Sequence, residues 1–321
     1  MPIPLGKSVF TSTCFTLLTA ALLFGQSDAT ESRIPVGRSS LYARLAGKGQ
    51  PLVVLHGGPD FDTRYLLPDF DAFGDLFRLI YYDQRGRGKS AAGFEPSDVT
   101  LASDVADIDL VRAHFKLQST AVLGHSWGAL LALEYALKNP VRVSHLILMN
   151  PAPVSANDLA LMRKFYLQKI GPEMDRQQKI MTSYTYRQGE PEVVAARYRI
   201  HFKPAFKRAE AYEKMMAAMK AAFIAQGREG ILKARAVELQ LLRDSWDRAE
   251  YDLLPRLKTI QIPTLVIAGD SDFIPPQVPE HIASAIPGAL LITTKNCGHF
   301  GYMECPDDVH KAVGDFLGRP R

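Results

Sequence analysis

The sequence has no long block of charge of either sign. Its 38 Lys and Arg residues nearly balance 34 Asp and Glu, leaving a net charge of +4. Without a basic stripe or patch, nucleic-acid binding is not suggested. Internal repeats and low-complexity tracts are also lacking, which leaves a structural or adhesive role without support. Cysteine is scarce, with only Cys14, Cys297 and Cys305, and neither of the last two belongs to a ligand-spaced cluster. Zinc is therefore not implied.

What is present is an ordinary globular composition over 321 residues, 47% hydrophobic and 22% charged, with material for a large core. The first thirty residues differ from the rest. Lys7, an apolar stretch at 9–24, and Ser27 and Ala29 at the key positions of a small-residue site have the pattern of a cleaved leader over 1–29. That pattern implies a secreted or periplasmic protein without stable membrane association. The alternative is an uncleaved anchor, since the stretch is only slightly shorter than the ~20 residues that span a bilayer. If Cys14 leaves with the leader, Cys297 and Cys305 form either a disulfide in an oxidising compartment or two partly buried thiols.

After residue 33, short apolar runs alternate with helical stretches, which predicts an α/β fold with a mostly parallel sheet covered on both faces. Strands are expected at 40–45, 51–55, 77–82, 120–123, 143–149, 263–268 and 289–294, and helices near 99–115, 127–138, 278–286 and 307–318. Between Met149 and Pro263 no convincing strand occurs. This interval is helical and rich in Lys, Arg, Glu and Met, and it far exceeds an ordinary connection. The expected organisation is a first core segment at 30–153, a helical insertion at 154–254 serving as a lid, and a second core segment at 255–321. Ligands in such sheets bind beyond the carboxyl ends of the strands, beneath such a lid.

One turn stands out. Gly124-His125-Ser126-Trp127-Gly128 joins the apolar run ending at Leu123 to a helix-forming stretch without Gly or Pro. Small residues at 124 and 128 let strand and helix pass closely, and the corner pushes Ser126 out at the helix N-terminus, where backbone N–H groups favour developing negative charge. A serine nucleophile needs a base and an orienting acid. Later strands end in Asp270-Ser271-Asp272 and in Cys297-Gly298-His299, in the chain order Ser, Asp, His that suits this sheet type. His299 is the expected base and Asp272 the expected acid, with Asp270 as a turn-capping competitor. His125 should point away from Ser126, His56 should brace the next loop, and the other histidines, His201 and His310 among them, read as packing or surface residues. For the oxyanion, the expected donors are the backbone N–H groups of Trp127 and of Gly58 in His56-Gly57-Gly58-Pro59. This chemistry requires no metal or organic cofactor.

With these residues assembled, the chain resembles the α/β-hydrolases, and within them the prolyl iminopeptidase group of serine aminopeptidases. The resemblance rests on His56–Pro59, Asp83–Ser90 and Gly124–Gly128, with Trp127 after the nucleophile as a further pointer, and it covers 34–153 and 255–318. It implies a small-molecule or short-peptide substrate, with N-terminal proline or another small residue first and an ester or lactone second. A catalytically idle ligand receptor is the rival from another class. Two features depart from the family pattern: Asp60 stands where glycine is common, and the lid carboxylates that grip a substrate ammonium have no assigned counterpart among Glu190, Glu192, Glu210, Glu213 and Glu238.

Overall fold

A computed structural model of the chain describes Met1 and residues 29–318. The expected leader therefore lies outside the described residues, except for its two ends. Eight strands form one sheet: β1 (Thr30–Val36), β2 (Ser39–Ala46), β3 (Gln50–Leu55), β4 (Phe77–Tyr82), β5 (Thr120–His125), β6 (Val143–Met149), β7 (Thr264–Gly269) and β8 (Leu290–Thr294). The spatial order is β1-β2-β4-β3-β5-β6-β7-β8. β2 pairs antiparallel with β1 and β4, and every other pairing is parallel. This is the α/β-hydrolase architecture.

Central strands read as continuous apolar runs because helices cover both their faces. All six residues of β5 are buried, as are Leu52 to Leu55 of β3. β1 is a strand that the sequence pattern did not predict. It is an edge strand with one fully buried side chain, Ile34, so its residues carry almost no core signal. A tight turn at Gly37, with φ +59°, returns it to β2.

Helices α1 (Leu101–His114) and α2 (Trp127–Lys138) follow β4 and β5. Thr100 caps α1, its hydroxyl accepting from the Ser103 N–H at 3.0 Å. The insertion after β6 contains α3 (Ala156–Ile170), α4 (Met174–Thr182), α5 (Tyr184–Arg187), α6 (Pro191–Phe202), α7 (Ala209–Asp244) and the short α8 (Leu254–Leu257). Gly227, at φ +67°, kinks α7. At the insertion's neck, Ser155 forms an isolated β-bridge with Asp252, bringing its two ends together. α9 (Gln277–Ala285), α10 (Gly301–Glu304) and α11 (Pro306–Leu317) complete the fold.

Candidate active site

The site is built where β3, β5, β6, β7 and β8 end. β5 turns into α2 through Ser126, whose backbone takes φ 55° and ψ −119°. A non-glycine residue there costs about 1–3 kcal/mol and persists only where its surroundings over-determine it. Here the Ser126 N–H donates to Met149 O at 3.0 Å, and its carbonyl accepts from Ala129 N at 2.9 Å and Ala152 N at 3.2 Å. The flanking glycines are required by close approach: a Cβ at Gly124 would collide with the Gly128 carbonyl, and one at Gly128 with that of Leu55. Local sequence thus forces a strained corner that presents Ser126 at the start of a helix.

Across the sheet edge, His299 Nδ1 lies 2.9 and 3.1 Å from the two oxygens of Asp272. Both side chains are buried. Asp272 is itself fixed, accepting from Asn150 Nδ2 at 2.8 Å and from the Ile274 N–H at 3.0 Å. With Nδ1–H donated to the carboxylate, His299 keeps the Nε2 lone pair free. Ser126 and His299 line one cavity of about 340 Å³. Asp270 is placed differently. Its Oδ1 accepts from the Asn296 N–H at 2.9 Å, tying the loops after β7 and β8 together.

The loop after β3 also reaches this cavity. The Gly57 N–H donates to the Tyr65 hydroxyl at 2.6 Å, whereas no described residue accepts from the Gly58 N–H. Gly58 has φ +136°, and a Cβ there would press on the Asp60 and Phe61 amides. His56 faces the other way: its Nε2 accepts from the Gln84 N–H at 3.0 Å and its Nδ1 bonds Gly57 O at 2.9 Å. The segment Asp83–Ser90 is a buried scaffold. Asp83 accepts from Thr63 and from the Lys89 N–H, and Arg87 pairs with Asp104 at 2.6 Å, both side chains fully buried.

A hydrogen-bond chain with one consistent direction links the loop after β3 to the His299 loop. The Gly57 N–H donates to Tyr65, the Tyr65 hydroxyl donates to His125 Nδ1 at 2.8 Å, and His125 Nε2–H donates to the His299 carbonyl at 2.9 Å. Burial, reinforced by the neighbouring His299, holds the His125 imidazole neutral, its pKa well below the usual value. The His299 loop is further held by Glu304, fully buried, which accepts from the N–H groups of Gly298, Lys207 and Arg208 at 2.6, 2.8 and 2.7 Å. Cys297 and Cys305, left open between thiols and disulfide by the sequence, are joined as a disulfide that closes this loop.

Of the five insertion glutamates named from the sequence, four face outward. Glu190 pairs with Arg228, Glu192 with Lys220 and Glu213 with Arg199, while Glu210 is exposed at the start of α7. Glu238 alone among them lines the cavity, with Asp60, Arg197 and Tyr198. Burial and then the Asp60 charge push the Glu238 carboxyl up to about 8. Asp60 is also raised by burial, against the opposing hydrogen bond of 2.8 Å from the Tyr198 hydroxyl. Phe61, Phe202, Phe273 and Phe300 supply much of the apolar wall. Asn150 and Glu304 escaped sequence reasoning; Asn150 directly follows β6, and its place at the same sheet edge was the available signal.

A family model described as the alpha/beta hydrolase fold matches residues 50–306. The proline iminopeptidase of Heyndrickxia coagulans is 28% identical over 283 residues, 84% of this chain and 91% of that protein. That of Lactobacillus crispatus (strain ST1) is 26% identical, covering 90% of this chain and 98% of its own length. Among solved structures, a proline iminopeptidase-related protein of Thermus thermophilus superposes with a TM-score of 0.70 at 25% identity, over 90% of this chain and 97% of that one.

Proposed function

The chain belongs to the α/β-hydrolase fold family, and from that premise we propose that it is a serine hydrolase of the prolyl iminopeptidase type, an aminopeptidase acting on short peptides. The observation that carries the proposal is His299, paired with the buried Asp272 and lining the same cavity as the strained Ser126. Similarity to proline iminopeptidases over most of the chain supports the substrate class.

In this reading, Ser126 Oγ attacks the carbonyl of the N-terminal residue while His299 Nε2 takes its proton. Asp272 holds the imidazole in the required tautomer and stabilises its cation. The N–H groups of Trp127 and Gly58 donate to the oxyanion, each worth roughly 3 kcal/mol in the transition state. His299 then protonates the departing amine, and the acyl group remains on Ser126 as an ester. Water, deprotonated by His299, releases it. Glu238 and Asp60 receive the substrate ammonium, since an amine entering an enclosed cavity needs a carboxylate that is itself desolvated.

A second reading, carboxylesterase or lactonase, is favoured by one observation: with its pKa near 8, Glu238 is mostly protonated at neutral pH and suits an uncharged substrate. We also place the reaction in an oxidising compartment, a reading supported by the leader-like pattern of 1–29 and by the Cys297–Cys305 pairing.

The test is a parallel assay of aminoacyl naphthylamides and a short-chain nitrophenyl ester, with Ser126→Ala as control. Ser126-dependent turnover of amides that stops when the α-amine is acylated supports the aminopeptidase. Ester turnover alone selects the second reading.

A further inference from the structure

We propose that Arg197 is a specificity-determining residue that binds a carboxylate on the acyl part of the substrate, so that the group released is an acidic aminoacyl group. The inference rests on the aminopeptidase reading and narrows it, from the proline that the relatives' names suggest to an aspartyl- or glutamyl-like residue.

Arg197 lies on α6 and lines the cavity. Its guanidinium makes no hydrogen bond and no ion pair with any described residue, and its Nε is sealed from solvent without an acceptor. A sealed N–H donor without an acceptor is costly, and the rest of this five-donor fork has no acceptor among the described residues either. Arg78 Nε, away from the cavity, is likewise sealed without an acceptor, but three enclosed arginines have carboxylate partners: Arg44 pairs with Asp71, Arg85 with Asp107 and Arg87 with Asp104. Arg197 is different even though Asp60 and Glu238 are close enough to act on its charge. Asp60 instead accepts from the Tyr198 hydroxyl, and Glu238 makes no hydrogen bond to Arg197. Neighbouring Arg235 is held by Tyr186, its Nη1 donating to Tyr186 O at 2.7 Å and its guanidinium lying 3.9 Å over the Tyr186 ring, though its Nη2 has no acceptor. Arg163, the other guanidinium at the cavity, is exposed.

The fork is also aimed. The guanidinium carbon sits 4.5 Å from the Tyr198 ring centroid, which limits how the plane can turn. The Tyr198–Asp60 hydrogen bond ties this part of α6 to the loop carrying Gly58, two residues before Asp60. That places Arg197 on the side where the acyl group's amine meets Asp60 and Glu238. A guanidinium beside two carboxyls complements a ligand with a carboxylate beside an ammonium, and a planar fork matches a carboxylate bidentately. An acidic amino acid joined to the leaving amine through either of its carboxyls presents these groups: an ammonium, a free carboxylate and the reacting carbonyl. The α-linked and side-chain-linked forms share this chemistry.

The experiment compares kcat/KM for aspartyl, glutamyl, γ-glutamyl, alanyl and prolyl naphthylamides in the full chain, Arg197→Gln and Arg197→Lys. Fluorophosphonate labelling of Ser126 reports whether each variant's site is assembled. The expected result is a wild-type preference for an acidic substrate over alanyl, reduced about ten- to a hundredfold in Arg197→Gln and less in Arg197→Lys. The α-linked and γ-linked arms show which form is used. If Arg197→Gln is not labelled, Arg197→Lys carries the comparison. Turnover of prolyl or alanyl substrate without acidic preference, or a preference that survives both substitutions, overturns the inference and leaves the aminopeptidase standing. Labelled wild type that turns over none of the amides overturns the aminopeptidase reading, and this inference with it.

Discussion

Replacing Tyr65 by Phe removes one oxygen from the interior and breaks two hydrogen bonds at once. The Gly57 N–H loses its acceptor at 2.6 Å, and His125 Nδ1 loses its donor at 2.8 Å. Tyr65 and His125 are both buried, so water does not readily replace the hydroxyl. Each buried group left unpaired costs about 1–3 kcal/mol. The two share one oxygen and relax together, so the expected loss is roughly 2–4 kcal/mol rather than the full sum. At about 1.5–2 °C per kcal/mol for a chain of this size, the melting temperature should fall by roughly 3–8 °C. The same change frees the loop carrying Gly58 and the backbone beside His299. Turnover should therefore drop about ten- to a hundredfold, with a smaller effect on KM, because misplaced donors and base are felt in the transition state. Thermal unfolding and steady-state kinetics of Tyr65→Phe read both effects. A variant within about 0.5 kcal/mol of wild type and with unchanged kcat would refute the idea that this chain couples the two loops.

Three other outcomes follow from the same geometry. Asp272→Asn should keep the fold but lower kcat by about three to four orders of magnitude, because an amide does not favour the tautomer that leaves His299 Nε2 free; a loss below tenfold would contradict the proposed role. With Glu238 near 8 and an α-amine at about 7.7–8.0, kcat/KM for a free-amine substrate should peak near pH 8, where the pair holds a single proton. Below that the carboxyl and the amine are both protonated, and Glu238→Gln should lose this limb; superimposable profiles would contradict it. His56 is held down to about 4 from an ordinary value of 6.5, by burial and then by Arg87. Between those values the unfolded chain binds the proton and the native state does not, so stability should fall by about 3 kcal/mol as pH drops through the window. Asp83, raised from 3.8 to about 6 by burial and Asp62, acts in the opposite sense over nearly the same window and offsets much of that fall in the wild type. Comparing the pH slope of denaturant midpoints in wild type and His56→Asn isolates the histidine, and identical slopes would count against it.

The sheet was legible because its central strands carry long apolar runs between turn signals, as in β5 and β6. β1 was not, since an edge strand with only Ile34 fully buried looks like loop sequence. Ser126, Asp272 and His299 could be proposed because each lies on the loop that follows a strand and parallel strands end at one edge. The cavity wall from the insertion could not, because a helix glutamate turned to solvent and one turned inward look alike in sequence. Only packing separates Glu238 from Glu190, Glu192 and Glu213, which pair with Arg228, Lys220 and Arg199 on the outer surface. Asp60 read as a departure from the family's glycine-rich loop; the cavity gives it a reason, as the acceptor of the Tyr198 hydroxyl.

Covalent labelling bears most directly on the central claim, that Ser126 is the nucleophile. The full chain is treated with a fluorophosphonate and the adduct mapped by peptide mass spectrometry, beside Ser126→Ala and Asp272→Asn. The account predicts a single stoichiometric adduct on Ser126, none in Ser126→Ala, and much slower labelling in Asp272→Asn. Labelling at another residue, or full-rate labelling without Asp272, would contradict it.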